Sequence, residues 1–192
     1  MSDSDANTAP EELPQGDLIK ILRDQHAEMQ DLFATLLSTA EGRQETFDRL
    51  RRLIVSHEVA EEMILRPVSA QLVDMKIVAM LDHEELQATE AVKKLEAVDV
   101  TSKGFLELAV DLQRTMGEHA DKEESLEFPR LLEGCNQQVR LRLGASLARA
   151  EADAPTHAHP SAVGSTNAQI AAAPFAALVY RARDALAKHL PK

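Results

Sequence analysis

The chain has 192 residues, enough for one domain with an appendage, and a formal net charge of -11. The acidic balance argues against nucleic acid as a partner, because phosphate backbones bind basic surfaces. Five Phe and one Tyr are too few for a β-sandwich or barrel, and the one cysteine, Cys135, can form no internal disulfide. The first residues are acidic where a signal peptide is basic, and the longest apolar stretch, residues 170–180, is too short to cross a membrane. We therefore expect a soluble cytoplasmic protein with no nucleic-acid or membrane partner.

Apolar residues recur every three or four positions along four segments, which predicts four helices. The segments are residues 17–40, 44–66, 75–98 and 102–132. Gly42 ends the first helix, Pro67 kinks or ends the second, and Pro129 breaks the fourth near its end. Because the connections are short, consecutive helices should be antiparallel neighbours. The predicted fold class is all-α, an up-down-up-down four-helix bundle with additional C-terminal helices.

Four regions are predicted along the chain. They are a disordered leader (1–16), the bundle (17–133), a short helix (134–151), and a linker with a C-terminal amphipathic helix (152–192). Residues 1–133 hold 14 basic and 29 acidic side chains, whereas residues 134–192 hold 7 and 3. The last helix, which carries Tyr180, is expected to pack on the bundle or on a second copy in a homodimer, since it has few basic residues for a membrane surface.

An internal repeat lies on the second and fourth predicted helices. The copies read His57-Glu58-Val59-Ala60-Glu61-Glu62 and His119-Ala120-Asp121-Lys122-Glu123-Glu124, each with a proline ten residues after its histidine. Residues four apart share a helix face, so the imidazole and the carboxylate of each copy can reach the same small ion. Both histidines lie on the apolar stripes of their helices, which predicts that both pairs point into the bundle.

The first and third helices each add one histidine predicted to face inward. His26 lies on the apolar stripe of the first helix. His83 lies between Met80 and Leu86 on the less regular stripe of the third. Four helices are thus expected to direct polar side chains to one interior site.

Buried glutamates favour a metal site over a metal-free core. A buried ionised carboxylate costs several kcal/mol unless it is paired or bound to a metal, and no Lys or Arg falls on the inward stripes near the two motif glutamates. Imidazole and carboxylate without thiolate suit iron, manganese or zinc, and the number of side chains suits two octahedral irons better than one tetrahedral zinc. The predicted ligands are His26, His57, Glu61, His83, His119 and Glu123.

This pattern resembles the hemerythrin-like family, the HHE cation-binding domains, over roughly residues 17–133. The resemblance implies a four-helix bundle around two iron ions in an oxo- or hydroxo-bridged, non-haem di-iron centre. It further implies that Glu61 and Glu123 are bridging carboxylates and that the four histidines are terminal ligands.

Two features depart from the oxygen-carrying hemerythrins. His83 is followed by Gln87 where they have a second histidine, and Glu123 comes four residues after His119 where they have an aspartate five residues after it. One iron then has one imidazole ligand fewer than in those proteins. Water, peroxide or a further carboxylate could fill its open position, but helix phase places the candidates Glu58, Glu62 and Glu124 at the rim.

An open site favours redox turnover or iron sensing over reversible oxygen carriage. The leading hypothesis is a non-haem di-iron protein that reacts with dioxygen or hydrogen peroxide, with catalase- or peroxidase-like removal of peroxide in oxidative stress. The alternative is an iron- or oxygen-sensing module whose tail signals metal occupancy to a partner. A metal-free helical adaptor is the third hypothesis, and the inward glutamates argue against it.

Overall fold

The computed structural model describes residues 12–154, and all regular structure in this range is helical. The helices are α1 (Leu18–Ser38), α2 (Arg43–Ala60), α3 (Arg66–Leu72), α4 (Met75–Glu96), α5 (Lys103–Lys122), α6 (Phe128–Gly134) and α7 (Gln137–Ala152). The predicted all-α helical bundle is confirmed. The predictions for residues 1–11 and for residues 155–192, including the last helix and Tyr180, lie outside the described residues.

Polar side chains at the helix N-termini explain where several helices begin. The Asp17 side chain accepts a hydrogen bond from the Ile19 backbone N–H at the start of α1, and Ser102 does the same for α5. Such caps satisfy backbone donors that the first helical turn leaves without partners. Between α1 and α2, Gly42 adopts a left-handed backbone conformation (φ 67°), which is favourable only for glycine and a few polar residues.

Two helical segments contain a π-helical turn at the same place in the repeat. The first turn, Glu61–Leu65, joins α2 to α3, and the second, Glu123–Glu127, joins α5 to α6. In each, the next residue donates its backbone N–H to the carbonyl five residues earlier, and a proline (Pro67 or Pro129) follows. A proline ring would clash with a carbonyl in an α-helical turn, and the wider turn accommodates it. Helical backbone therefore continues through both prolines, which end neither segment.

The apolar core of the described chain forms two clusters. One includes Met29, Phe33, Leu50, Ile54, Phe105, Leu112 and Met116. The other includes Leu18, Leu22, Ala60, Leu65, Phe128, Leu143 and Leu147. Along α1, His26 lies between residues of the two clusters, and His57 does so along α2. Buried polar side chains thus occupy a layer between two apolar regions.

A fifth long helix, α7, packs on α1, α2 and the first π-helical turn. The backbones approach closely at Gly144, where an added Cβ would lie 2.1 Å from the carbonyl oxygen of Gly16. Arg140 is buried and donates hydrogen bonds to Asp17 (2.8 Å) and to the backbone carbonyl of Cys135 (2.7 Å). These contacts make α7 part of the folded body. Within residues 12–154, no helix combines the length and apolarity that a bilayer span requires.

Candidate metal centre

Five of the six predicted site residues meet in the layer between the apolar clusters. They are His26 on α1, His57 on α2, His119 on α5, and Glu61 and Glu123, the first residues of the two π-helical turns. Each of these side chains is at most 5 % exposed. We refer to these five residues, with Glu85 of α4 described below, as the central cluster.

Potential ligand atoms of the central cluster form two overlapping groups. One group is His26, His57, Glu61 and Glu123, and the other is Glu61, Glu85, His119 and Glu123. Within each group the atoms lie within 4.8 Å of one another, close enough to share one metal ion. Glu61 and Glu123 belong to both groups, which is the placement that a bridging carboxylate requires.

The three histidines present the same nitrogen to the interior. Nε2 of each is buried and makes no well-aligned hydrogen bond among the described residues, and it lies 3.2–3.4 Å from a carboxylate oxygen, that of Glu61 for His57 and that of Glu123 for His26 and His119. The Nδ1 partners are Glu124 for His26 (2.9 Å), Gln25 for His57 (2.8 Å) and Glu84 for His119 (3.2 Å). Histidines that bind metals characteristically donate their other ring N–H to such an outer acceptor, which orients the ring. The arrangement therefore fits metal binding through Nε2.

Burial and neighbouring charges shift the protonation of the interior groups. Burial, together with the nearby His26, lowers the pKa of His57 to about 3, so this imidazole is neutral at pH 7. Burial would lower the pKa of His119 as well, but contacts with Glu123 outweigh it and raise this pKa to about 10. Burial also raises the pKa of Glu58 to about 7. Without a metal, the interior holds protons that a bound cation would displace.

His83 does not join the central cluster, contrary to the orientation expected from the sequence. Its side chain is exposed, and its Nε2 lies 3.1 Å from the amide nitrogen of Gln87, one turn along α4. The buried face of α4 includes Leu81 and Glu85, each two residues from His83 and therefore on the other side of the helix. Leu86, which marked the inward stripe in the sequence, is 39 % exposed. The α4 side chain in the cluster is the buried carboxylate of Glu85.

Arg66 contradicts the expectation that no cation lies near the inward glutamates. Its buried guanidinium hydrogen-bonds Glu85, lies 2.6 Å from both Glu123 and Glu127, and is 3.7 Å from Glu61. Five residues separate Arg66 from Glu61, which in an α-helix would turn the two apart. In the π-helical turn, about five residues bring the chain back to the same face.

Glu58 is a second buried group that the sequence did not reveal. Helix phase predicted a position at the rim, but Glu58 is 2 % exposed, and neither carboxylate oxygen has a hydrogen-bond partner among the described residues. Glu62 and Glu124 are half-buried, as expected for residues nearer the rim. Glu58 is thus an additional carboxylate available to an ion in this interior.

Two of the cavities formed by the described residues border His119, and one of them also borders His26. The larger, about 310 Å³, lies between α4 and α5 and is bordered by Glu84, Ala91, Lys122 and His119. The smaller, about 20 Å³, lies between α1 and α5 and is bordered by both His26 and His119. Its volume suits a molecule close to water in size. Gly117 also borders this smaller cavity, and a Cβ added there would meet no atom within 4 Å.

Comparison with known proteins agrees with this geometry. The family model described as the hemerythrin HHE cation binding domain matches residues 17–131. An uncharacterized hemerythrin-like protein of Schizosaccharomyces pombe is 27 % identical over 138 residues, which cover 70 % of this chain and 68 % of the relative. No solved structure matches the chain. Because the matched region is more than half of the chain and contains the central cluster, the protein belongs to the hemerythrin family of HHE cation-binding domains.

Proposed function

We propose that the central cluster binds two iron ions and that the loaded protein reacts with dioxygen or hydrogen peroxide, with catalase- or peroxidase-like removal of peroxide as its activity. His26 and His57 would bind one ion, and His119 and Glu85 the other. Glu61 and Glu123 would bridge them. The observation that carries the proposal is the convergence of three buried Nε2 atoms on Glu61 and Glu123, the two carboxylates common to both donor groups.

The donor set is compatible with iron and supports the proposal. Imidazole and carboxylate donors without thiolate suit iron and manganese, and the two overlapping groups provide more donors than one tetrahedral zinc uses. Bound iron would supply one-electron redox chemistry and a Lewis-acidic position for an oxidant. The smaller cavity supports a small oxidant, because it borders two of the proposed ligands and its volume suits a molecule of very few atoms.

Side chains around the proposed ligands would orient the imidazole rings, move protons and exclude water. Glu124, Gln25 and Glu84 hold the three imidazole rings through Nδ1. Burial raises the pKa of Glu58 to about 7 in the metal-free protein, so its carboxylate, which has no hydrogen-bond partner among the described residues, would be placed to take up and return a proton beside the ions. The apolar clusters on either side of the layer limit the access of bulk water.

Iron content and peroxide turnover test this proposal together. Protein loaded anaerobically with ferrous iron should hold about two irons per chain and should release dioxygen from hydrogen peroxide. His57→Ala should lose most of the iron, whereas Glu133→Gln, at an exposed carboxylate on α6, should behave as the wild type. Wild-type protein without bound iron would refute the centre. Two bound irons without turnover would refute the peroxide activity alone.

A sensing function is the second candidate, and the position of α7 favours it. This helix packs on the first π-helical turn, which begins with Glu61, and it leads directly to residues 155–192. Metal binding at Glu61 would therefore change the packing of α7, and with it the access of proteases to residues 155–192. Limited proteolysis should then cleave residues 155–192 at different rates with and without iron. Equal rates would count against sensing.

A further inference from the structure

Gln25 connects the central cluster to the last turn of α7. Its Oε1 lies 2.8 Å from Nδ1 of His57, and its Nε2 lies 2.5 Å from Oε1 of Glu151. Gln25 and Glu151 are both half-buried. The result is a chain of two hydrogen bonds from a carboxylate of α7 to a proposed metal ligand.

The chemistry of these three groups fixes the direction of both hydrogen bonds. Burial raises the pKa of Glu151. Wherever its carboxylate is ionised it only accepts, so the Gln25 NH₂ group faces Glu151 and the amide oxygen faces His57. That oxygen also only accepts, so Nδ1 of His57 must carry the proton. A neutral imidazole has one N–H, and Nε2 is therefore left with its lone pair directed into the cluster.

A competing acceptor near Nε2 means that the proton of His57 stays on Nδ1 only if another group holds it there. Nε2 of His57 lies 3.4 Å from Oε2 of Glu61, which could attract a proton to Nε2. If Gln25 were free to turn its amide over, the NH₂ group would face Nδ1, and the imidazole could adopt the Nε2–H tautomer. That tautomer has no lone pair at the position where a metal ion would bind. The carboxylate of Glu151 opposes this rotation.

We propose that Glu151 is a positioning residue for the metal centre: through Gln25 it holds His57 in the Nδ1–H tautomer, whose Nε2 can bind a cation. The proposal rests on the proposed role of His57 as a ligand. Glu151 lies beyond residues 17–131, the region that the family model matches. In this chain α7 would thus complete the centre from outside the shared domain.

The tautomer can be measured in the metal-free protein by ¹⁵N NMR of the histidine side chains, with His57 assigned from a His57→Ala variant. Wild-type protein should show His57 protonated at Nδ1. Glu151→Gln, whose amide can donate as well as accept, should give a substantial Nε2–H population. Asp153→Asn, which removes an exposed carboxylate from the same end of α7, should leave the tautomer unchanged.

Anaerobic titration with Fe²⁺ provides the second measurement. Loss of an outer hydrogen-bond partner typically weakens metal binding about 10–100-fold, so Glu151→Gln should bind Fe²⁺ about tenfold less tightly than wild type and Asp153→Asn. Retention of the Nδ1–H tautomer and of Fe²⁺ affinity in Glu151→Gln would overturn the proposal. A wild-type protein with the Nδ1–H tautomer but no Fe²⁺ binding would instead overturn the proposed function.

Discussion

Arg66 places one guanidinium among the buried carboxylates Glu61, Glu85, Glu123 and Glu127. Three of its partners, Glu61, Glu85 and Glu123, also belong to the groups that could hold an ion, and Glu85 belongs only to the group that contains His119. Arg66 therefore stabilises the metal-free protein and competes with a cation for the same oxygens. The two proposed positions should consequently differ in affinity, with the His26–His57 position filling first.

Replacing Arg66 by methionine tests this double role. Removing one partner of a buried ion pair typically costs about 3–5 kcal/mol, so metal-free Arg66→Met should unfold at a markedly lower urea concentration than wild type. Anaerobic Fe²⁺ should restore more stability to the variant than to wild type, because the cation replaces the missing charge. Arg142→Met, at an exposed position of α7, is the control. Equal unfolding midpoints for the two variants would contradict this account of Arg66.

A second pair of variants compares two residues of α4. The sequence predicted His83 as a ligand, whereas the structure places Glu85 in the central cluster. His83→Ala should retain the wild-type iron content, because His83 is exposed. Glu85→Gln should lose about one of two irons, because Glu85 belongs to one donor group and not to the other. Metal analysis of both proteins after identical loading is the measurement. Iron loss in His83→Ala alone would reverse this assignment.

At the scale of the elements, the π-helical turns set the limit of what the sequence could predict. The pairs His57–Glu61 and His119–Glu123 obey α-helical spacing because both lie at or before the turns. Within the turns the phase changes: Leu126, which would share the face of His119 seven residues earlier in an α-helix, is 41 % exposed, and Glu127 is buried. Arg66 was missed for the same reason. The repeated prolines were the available signal, since each lies two residues after the end of a turn that widens the helix.

Two helix-interior glycines should respond oppositely to alanine. At Gly117 an added Cβ meets no atom within 4 Å, so Gly117→Ala should stabilise α5 by about 1 kcal/mol through helix propensity. At Gly144 the Cβ would lie 2.1 Å from the Gly16 carbonyl oxygen, so Gly144→Ala should force α7 away from α1 and cost about 1–3 kcal/mol. Chemical denaturation measures both changes. Equal effects of the two variants would show that α7 does not pack as described.

On the scale of the whole molecule, hydrophobic periodicity was enough to predict an all-α bundle, but it could not predict how α7 is placed. That placement depends on contacts between distant residues, such as Arg140 with Asp17 and Gly144 with Gly16. The exposed His83 illustrates the same limit, because a stripe defined by Met80 and Leu86 was compatible with either face of α4. Local spacing specifies elements, whereas their rotation and docking are decided by packing.

The labelling rate of the Cys135 thiol measures how often the folded protein opens. Cys135 is 1 % exposed in the apolar cluster that includes α6 and α7, and burial raises the pKa of its thiol to about 11. A folded chain should therefore react very slowly with a disulfide reagent at pH 8, and raising the pH to 9 should increase the rate about tenfold, against about threefold for an exposed thiol of pKa about 8.5.

Iron should slow this labelling further, because a ligand that binds the folded state makes opening rarer. Labelling in denaturant gives the reference rate for the accessible thiol. A native rate close to that reference would mean that α6 and α7 are not held against the bundle.

The layer of buried carboxylates also has a consequence for how long a molecule survives in a cell. Without a cation this layer relies on Arg66 and on retained protons, so an unloaded molecule should open more often than a loaded one. Proteases degrade proteins through such openings when reclosing is fast. The steady amount of the protein should then follow the supply of its metal, even at a constant rate of synthesis.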